Sequence, residues 1–214
     1  MDRRQFSAAL GTAAALGFTG LPAHAQRAFA DGKDFRTLDK RAPVETPPGK
    51  VEVVEFFWYA CPHCNAFEPQ LVAWAKKLPQ DVVLKRVPVQ FNESFEPQQR
   101  LFYTLEAMGK LEDVHNKVFQ AIHGEKIKLE RFEQIAPWVE KQGVDKAKFT
   151  EMFNSFSIAT KARKAAQLAN DYRIEGVPTL GVAGRWWTDG SAAGSMQRAL
   201  QVTDFLIAEA RRSK

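Results

Sequence analysis

One stretch of the sequence constrains this chain more than any other. Residues 51–65 read VEVVEFFWYACPHCN and end with the only two cysteines of the protein, Cys61 and Cys64. The Val and Phe residues of the first half leave no polar face, which is typical of a strand buried on both sides of a mostly parallel sheet. The sequence therefore predicts a buried strand that leads directly into a reactive dithiol.

Two cysteines separated by two residues have three common roles: a redox disulfide, half of a zinc site, or inert packing. Structural zinc is usually held by four Cys or His ligands. No other Cys is present, and the histidines outside the motif are His24, His115 and His123. A zinc site would therefore need His115 and His123, or a second subunit, so the redox role is favoured.

The residues between and beside the cysteines suit the start of a helix. Pro62 fits the first helical position, where its missing N–H group costs nothing. Cys61 then lies at or next to the N-cap, where unpaired N–H groups and the helix dipole stabilise a thiolate, the attacking species. His63 adds a donor or a positive charge, or else is a solvated first-turn residue. Cys64, one turn into the helix, is expected to be more deeply buried and to resolve a mixed disulfide.

A thiolate stabilised only in the folded state also has a consequence for stability. The disulfide between Cys61 and Cys64 closes a very short loop, so it restricts the unfolded chain little. The reduced protein is therefore expected to be more stable than the oxidised one at neutral pH.

Glu55 is the exception inside the apolar strand. It lies six residues before Cys61. A buried carboxylate is costly unless it is paired or protonated. The alternative is a register in which the tip of the side chain reaches water.

Two segments together resemble a known family. The segment EFFWYACPHCNAFEP is similar to the active-site segment of the DsbA family, periplasmic thiol:disulfide oxidoreductases with a thioredoxin fold. Residues 176–179, GVPT, resemble the second signature of that family, a cis-proline loop that faces the dithiol. The resemblance extends over the whole mature chain, including the helical insertion of the family.

This resemblance implies an activity and a set of site residues. It implies a dithiol oxidase with an acidic cysteine and an oxidising disulfide, Cys61–Cys64, and no other cofactor or metal. Glu55 matches the buried acid of the family, which suggests a proton relay for Cys64. The implied catalytic residues are Cys61, Cys64, His63 and Glu55, and the implied substrate-binding residues are Val177, Pro178 and Pro62.

The implied partners come from the same resemblance. They are unfolded or newly exported cysteine-containing proteins, as substrates, and a membrane quinone-linked reoxidase of the DsbB type. The net charge of +5 is modest and spread along 214 residues, so nucleic-acid binding is not expected. The chain is expected to be a monomer.

Residues 1–25 are predicted to be an export signal. Arg3 and Arg4 precede an apolar stretch, residues 8–21, that is too short to span a membrane. The AHA pattern at residues 23–25 predicts cleavage after Ala25 and a periplasmic location. Residues 3–6, RRQF, resemble a twin-arginine signal, whereas the flanking residues depart from it, so the Sec and twin-arginine routes both stay open.

The remaining pattern predicts a thioredoxin-like α/β fold with an inserted all-helical subdomain. Short strands are expected at residues 35–38 and 82–91, the latter with a bulge or a sheet edge at Pro88. Four helices are expected between residues 94 and 157, with His115 and His123 on their surface. A helix at 158–172, a hairpin joined at Gly184 and a helix at 195–211 complete the chain. The predicted divisions are an export signal (1–25), the first part of the thioredoxin-like domain (26–93), the inserted subdomain (94–157) and the second part of the domain (158–214).

Three other functions use the same features. The first is the same chemistry run in reverse, as a disulfide reductase or isomerase. The second is a non-enzymatic metal-binding chaperone that holds copper or zinc with Cys61 and Cys64. The third is a binding module whose active surface is the helical insertion.

Overall fold

The computed structural model describes residues 29–213, so the predicted export signal and its cleavage after Ala25 lie outside the described residues. One five-stranded sheet runs through the molecule in the order β1-β5-β4-β2-β3. Its strands are β1 (Arg36–Thr37), β2 (Val51–Phe57), β3 (Val82–Pro88), β4 (Thr179–Val182) and β5 (Trp186–Asp189).

The prediction of a mostly parallel sheet is wrong. Only β2 and β3 run parallel, whereas β2–β4, β4–β5 and β1–β5 are antiparallel. The reason is the hairpin of β4 and β5, which is joined around Gly184 as predicted. Gly184 has φ +67°, and a Cβ atom there would lie 2.3 Å from the Ala42 carbonyl oxygen, so the turn requires glycine.

Strand β2 is buried over its whole length, as its apolar sequence predicts. Val54, Phe56 and Phe57 belong to the core shared with the helical insertion, whereas Val51 and Val53 belong to the core on the other face of the sheet. Each such side chain contributes about 1.5–3 kcal/mol of transfer free energy. The strand is therefore fixed on both faces, which gives the turn after it a rigid base.

Helices cover both faces of the sheet. Two of them, α1 and α8, contribute to the core that contains Val51 and Val53. The helices α2 to α6 form one uninterrupted run between β3 and β4. The helices are α1 (Pro62–Ala75), α2 (Glu96–Ala107), α3 (Leu111–Phe119), α4 (Phe132–Lys141), α5 (Lys146–Phe153), α6 (Phe156–Asp171), α7 (Gly190–Ala193) and α8 (Met196–Arg212).

Several local predictions are confirmed, and one boundary is wrong. Asp145 caps α5 by accepting a hydrogen bond from the Lys148 backbone at 2.9 Å, as the sequence indicates. Strand β3 lies at a sheet edge but ends at Pro88, three residues earlier than predicted, because its partner β2 ends at Phe57, whose carbonyl oxygen accepts a last hydrogen bond from the Val89 N–H at 2.9 Å. Among residues 29–213, no helix combines the length and the apolar content that crossing a membrane requires.

Candidate active site

The dithiol lies where β2 passes into α1. Pro62 is the first residue of α1, and Cys61 is its N-cap, as predicted. The Cys61 Sγ accepts a hydrogen bond from the backbone N–H of Cys64 at 3.4 Å. Both cysteines are free thiols; Cys64 is fully buried, whereas Cys61 retains 7% of its exposure. The sulfur of Cys61 is therefore the one that a substrate can reach.

The two sulfurs have opposite acidities. The pKa of Cys61 is lowered to about 6, mainly by a hydrogen bond from the Cys64 thiol. Burial opposes this shift, whereas hydrogen bonds from the backbone N–H groups of Cys64 and His63 add to it. Burial, followed by the hydrogen bond and the charge of Cys61, holds the pKa of Cys64 well above its usual value. At neutral pH the pair therefore holds one thiolate, on Cys61, and one thiol, on Cys64.

His63 is exposed in the first turn of α1. Its backbone N–H and its charge both contribute to the lowered pKa of Cys61, as the smallest of the favourable contributions. This position fits the predicted donor or positive charge, and it also fits a solvated first-turn residue. The catalytic role of His63 stays a prediction.

The second signature lies beside the reactive sulfur. The Val177–Pro178 peptide bond is cis, as the resemblance implies. The Cys61 Sγ lies 3.4 Å from the Val177 carbonyl oxygen, to which it donates a hydrogen bond when protonated, although 116 residues separate them in sequence. Val177 is partly buried and Pro178 is buried, whereas Pro62 is exposed at the helix start. The structure thus brings the three predicted substrate-binding residues to one region.

Glu55 is buried inside the sheet, with 1% of its surface exposed. The alternative in which its tip reaches water is therefore wrong. Burial raises the pKa of Glu55 to about 8, against the charge of Arg86, whose Nε lies 3.7 Å from Glu55 Oε2. That oxygen has no hydrogen-bond partner among residues 29–213. Glu55 also acts on the dithiol, because its charge contributes to the raised pKa of Cys64.

A second carboxyl group in β2 was not predicted from the sequence. Glu52 is as deeply buried as Glu55, and burial raises its pKa. One of its oxygens accepts a hydrogen bond from the Glu45 backbone at 3.1 Å. Glu52 lies near the opposite end of the strand from the dithiol, so Glu55 is the nearer of the two β2 carboxyl groups to the cysteines.

The prediction that His115 and His123 lie on the surface is wrong for His115 and only partly right for His123. His115 is buried, with 6% exposure, and its Nδ1 lies 2.8 Å from the Tyr59 hydroxyl oxygen. His123 is partly buried and donates through Nε2 to the Tyr59 backbone carbonyl at 2.8 Å. Both histidines contact Tyr59 because α3 and the π-helical turn after it pack against the turn before Cys61.

Three further residues near Glu55 were not predicted either. They are Tyr59, Glu68 and Arg86, which form a buried polar group together with Glu55 and His115. A signal for Glu68 was available, because it lies four residues after Cys64 and so on the same face of α1. Within residues 29–213, no group of three or more His, Cys, Asp or Glu residues is arranged to hold a metal ion.

Comparison with known proteins gives one family throughout. The model of the DSBA-like thioredoxin domain matches residues 81–201. The thiol:disulfide interchange protein DsbA of Bordetella pertussis is 46% identical over 201 residues, 94% of this chain and 95% of that protein. The DsbA of Burkholderia cepacia is 43% identical over 91% of this chain and 92% of that protein.

Solved structures agree with this result. The crystal structure of Pseudomonas aeruginosa DsbA matches with a TM-score of 0.82 at 44% identity, over 86% of this chain and 96% of that chain. The oxidoreductase DsbA from Xylella fastidiosa matches with a TM-score of 0.80 at 28% identity, over 86% of this chain and 98% of that chain. The expected thioredoxin-like fold is therefore confirmed.

Proposed function

This chain belongs to the DsbA family and is a thiol:disulfide oxidoreductase that introduces disulfide bonds into proteins, and we propose that Cys61 and Cys64 carry out the exchange. The observation that supports this assignment best is the contrast between the two sulfurs. Cys61 has a lowered pKa and lies beside Val177, whereas Cys64 is fully buried with a raised pKa. A disulfide between them would open in one direction only, with Cys61 bonded to the incoming group.

The first step of the proposed reaction opens the enzyme disulfide. A substrate thiolate attacks Cys61 Sγ, a bond forms between these two sulfurs, and the bond between Cys61 and Cys64 breaks. Cys64 leaves with the electron pair and takes up one proton. The product is a mixed disulfide between the substrate and Cys61.

The second step releases the oxidised substrate. A second substrate thiolate attacks the substrate sulfur of the mixed disulfide, and Cys61 leaves as a thiolate. A thiol with a pKa of about 6 is a good leaving group at neutral pH, because its thiolate needs no proton. Two electrons have then passed from the substrate to the Cys61–Cys64 pair, which serves as the redox group.

Glu55 is the proposed proton donor to Cys64 in the first step. With a pKa of about 8 it is protonated at neutral pH, although it is a carboxylic acid. Departure of Cys64 creates a thiolate in a buried environment, where a negative charge is strongly disfavoured. Transfer of the Glu55 proton moves that charge onto the carboxylate, whose Oε2 lies 3.7 Å from Arg86 Nε. When the enzyme is reoxidised, the ionised carboxyl group takes the proton back as Cys64 attacks.

The substrate is proposed to bind along the loop of Val177 and Pro178. Exposed Pro62 borders the sulfur on the other side. An extended peptide that pairs with the Val177 backbone would lie next to Cys61 Sγ, in a form of strand addition. Recognition through backbone groups fits substrates that share cysteines but no common side-chain sequence.

The setting of this reaction is proposed from the family and the sequence. Exported proteins with unpaired cysteines are the substrates, in the periplasm, after removal of an export signal that ends at Ala25. A membrane quinone-linked reoxidase of the DsbB type restores the disulfide. Oxidised partner and reduced enzyme exchange through Cys61 first, and Cys64 then completes the new disulfide. The enzyme acts as a monomer.

Rapid mixing of the reduced enzyme with a small aromatic disulfide tests both cysteine roles. We expect Cys64→Ser, which keeps Cys61, to react at neutral pH at least about tenfold faster than Cys61→Ser, because Cys61 is largely thiolate there. The two variants are matched controls for each other. Equal rates for the two would contradict the assignment of Cys61 as the attacking sulfur.

The same experiment tests Glu55. In the wild type, attack by Cys61 releases one aromatic thiol, and attack by Cys64 on the mixed disulfide releases the second. We expect Glu55→Gln to leave the first release nearly unchanged and, at pH 8 and above, to slow the second, since a large share of Glu55 is ionised there and can accept the Cys64 proton, which glutamine cannot do. Two unaltered phases would exclude Glu55 from the mechanism.

A further inference from the structure

A cluster of polar side chains, all buried except the partly buried Arg86, surrounds Glu55, and apart from Glu55 its members have no part in the proposed reaction. It consists of Glu55 on β2, Tyr59 in the turn before the dithiol, Glu68 on α1, Arg86 on β3 and His115 on α3. We name it the buried ionic cluster. The role inferred for it rests on the proposed role of Glu55 and extends that role to the residues that hold Arg86 in place.

The centre of the cluster is the guanidinium group of Arg86. Its two terminal nitrogens each donate to one oxygen of Glu68, both at 2.8 Å. The terminal nitrogen NH1 also contacts Nε2 of His115. Toward Glu55, in contrast, Arg86 presents only Nε, at 3.7 Å from Oε2, which is too long for a hydrogen bond. The guanidinium is thus turned toward Glu68 and His115 and away from Glu55.

The contact with Arg86 fixes the protonation state of His115. A guanidinium group carries only donors, so the Nε2 atom facing it must accept and cannot carry a proton. The imidazole is therefore neutral with its proton on Nδ1, which donates to the Tyr59 hydroxyl oxygen at 2.8 Å. Burial lowers the pKa of His115 in the same sense, partly opposed by Glu68 and Glu112.

His115 and Glu55 compete for Arg86. Arg86 and Glu55 are register partners in the parallel pair of β2 and β3, so the two side chains start from neighbouring positions. Glu55 Oε2 is a buried acceptor without a hydrogen bond among residues 29–213. It is therefore the natural alternative acceptor for an Arg86 N–H group that loses His115. A full hydrogen-bonded ion pair would favour the ionised form of Glu55.

We propose that His115 is a positioning residue that holds the Arg86 guanidinium against Glu68. Glu55 is then left without a full ion pair and keeps the proton that Cys64 receives when the enzyme disulfide opens. His115 touches neither sulfur, and it acts on the reaction through Arg86. The inserted helices thereby contribute to the chemistry of a dithiol that lies outside the insertion, at the start of α1.

Replacement of His115 by Phe tests this proposal, because Phe keeps an aromatic ring but cannot accept from Arg86. We expect the carboxyl pKa of Glu55 to fall by about 1–3 units as Arg86 turns toward it. The readout is the carboxyl ¹³C shift of Glu55 followed by NMR against pH in the oxidised protein, where neither cysteine titrates. Glu55→Gln identifies the signal by removing it.

Two further variants separate positioning from a merely structural role. His115→Gln restores an acceptor for Arg86 and is expected to return the Glu55 pKa toward the wild-type value. His123→Phe removes a histidine that bonds to the Tyr59 backbone carbonyl and not to Arg86, and it should leave the Glu55 pKa unchanged. His115→Leu serves in place of His115→Phe if the latter does not fold.

The kinetic consequence provides a second readout. The rate at which a peptide thiol opens the enzyme disulfide should begin to fall at a lower pH in His115→Phe, by the same shift as the Glu55 titration. The titratable and charged groups that interact with Glu55 are Arg86 from β3, Glu68 and Cys64 from α1, and Tyr59 in the turn before the dithiol, and of these only Cys64 changes during the step. A simple loss of stability would instead change the rate without moving the pH profile.

The outcomes are distinct from those of the proposed function. An unchanged Glu55 pKa in folded His115→Phe or His115→Leu overturns the positioning role, even where the cysteine variants behave as expected. A lowered Glu55 pKa with an unmoved rate profile also overturns it, because Arg86 would then be turned without effect on proton delivery. Failure of the cysteine assignment is seen separately, in the thiol-release rates of Cys61→Ser and Cys64→Ser.

Discussion

The lowered pKa of Cys61 makes the relative stability of the two redox forms depend on pH. The dependence can be measured by comparing the free energies of unfolding of the reduced and the oxidised protein at pH 5, 7 and 8. Folding lowers the pKa of Cys61 from 9.0 to about 6. A group whose pKa is depressed on folding stabilises the folded state fully above the unfolded value, and the stabilisation disappears as the pH falls through the folded value. The stabilisation by the Cys61 thiolate is therefore lost between pH 9 and about pH 6.

The size of the effect is set by these two pKa values. Ionisation of Cys61 adds about 2.7 kcal/mol to the free energy of unfolding of the reduced protein at pH 8, about 1.4 kcal/mol at pH 7 and almost nothing at pH 5. The opposing quantity is the entropy that the disulfide removes from the unfolded chain, which for a loop of four residues is worth about 2 kcal/mol. We therefore expect the oxidised form to be more stable at pH 5, the two to be nearly equal at pH 7, and the reduced form to be more stable at pH 8. The greater stability of the reduced form, expected from the sequence at neutral pH, is thus moved to about pH 8 by the pKa of Cys61.

Urea unfolding of both redox forms at the three pH values measures this difference. The raised pKa of Glu55 acts in the opposite direction, but the carboxyl group is present in both forms and largely cancels in their difference. Reduced Cys61→Ser is the matched control, since it cannot form the thiolate. The free energy of unfolding of reduced Cys61→Ser should be lower than that of the reduced wild type. This difference should be about 2.5 kcal/mol larger at pH 8 than at pH 5. If the difference in unfolding free energy between reduced wild type and reduced Cys61→Ser does not change with pH, the Cys61 thiolate does not stabilise the folded protein.

Two further substitutions give expected outcomes. His63→Ala should raise the pKa of Cys61, because it removes a charge that lowers this pKa. The ultraviolet absorbance of the thiolate, followed against pH, measures the shift. An unmoved midpoint would make His63 a solvated first-turn residue. Gly181→Ala should destabilise the protein by about 1–3 kcal/mol in urea unfolding, because its Cβ would lie 2.4 Å from Tyr172 Cε1. Gly176→Ala, where a new Cβ meets nothing within 4 Å, is its control, and equal effects of the two would argue against the clash.

Much of the fold and the centre of the site could be predicted from the sequence because they depend on local chemistry. Pro62 after a cysteine indicates a helix start, so the N-cap position of Cys61 follows from neighbouring residues alone. The turn at Gly184 follows from a glycine between two short strands. Each of these predictions needs only a few residues that are adjacent in sequence.

The cluster around Glu55 could not be predicted in the same way. Arg86 meets Glu55 only because the register of two parallel strands, 31 residues apart, aligns them. The polarity of histidine favours a surface position for His115, although it lies four residues before Phe119 and so on the buried side of α3. The sheet direction was also predicted incorrectly, because an apolar strand is equally compatible with antiparallel neighbours when helices cover both faces.

The two edges of the sheet have a consequence for how the protein behaves in solution. One edge strand, β1, is only two residues long, and the other, β3, carries Lys85 and Arg86 and stops at Pro88. The Pro88 carbonyl oxygen is already bonded to the Gln99 side chain at 2.8 Å. Short, charged and proline-ended edges discourage the addition of foreign strands. Neither edge of the sheet therefore offers a long template for pairing with the exposed backbone of unfolded chains, the proposed substrates.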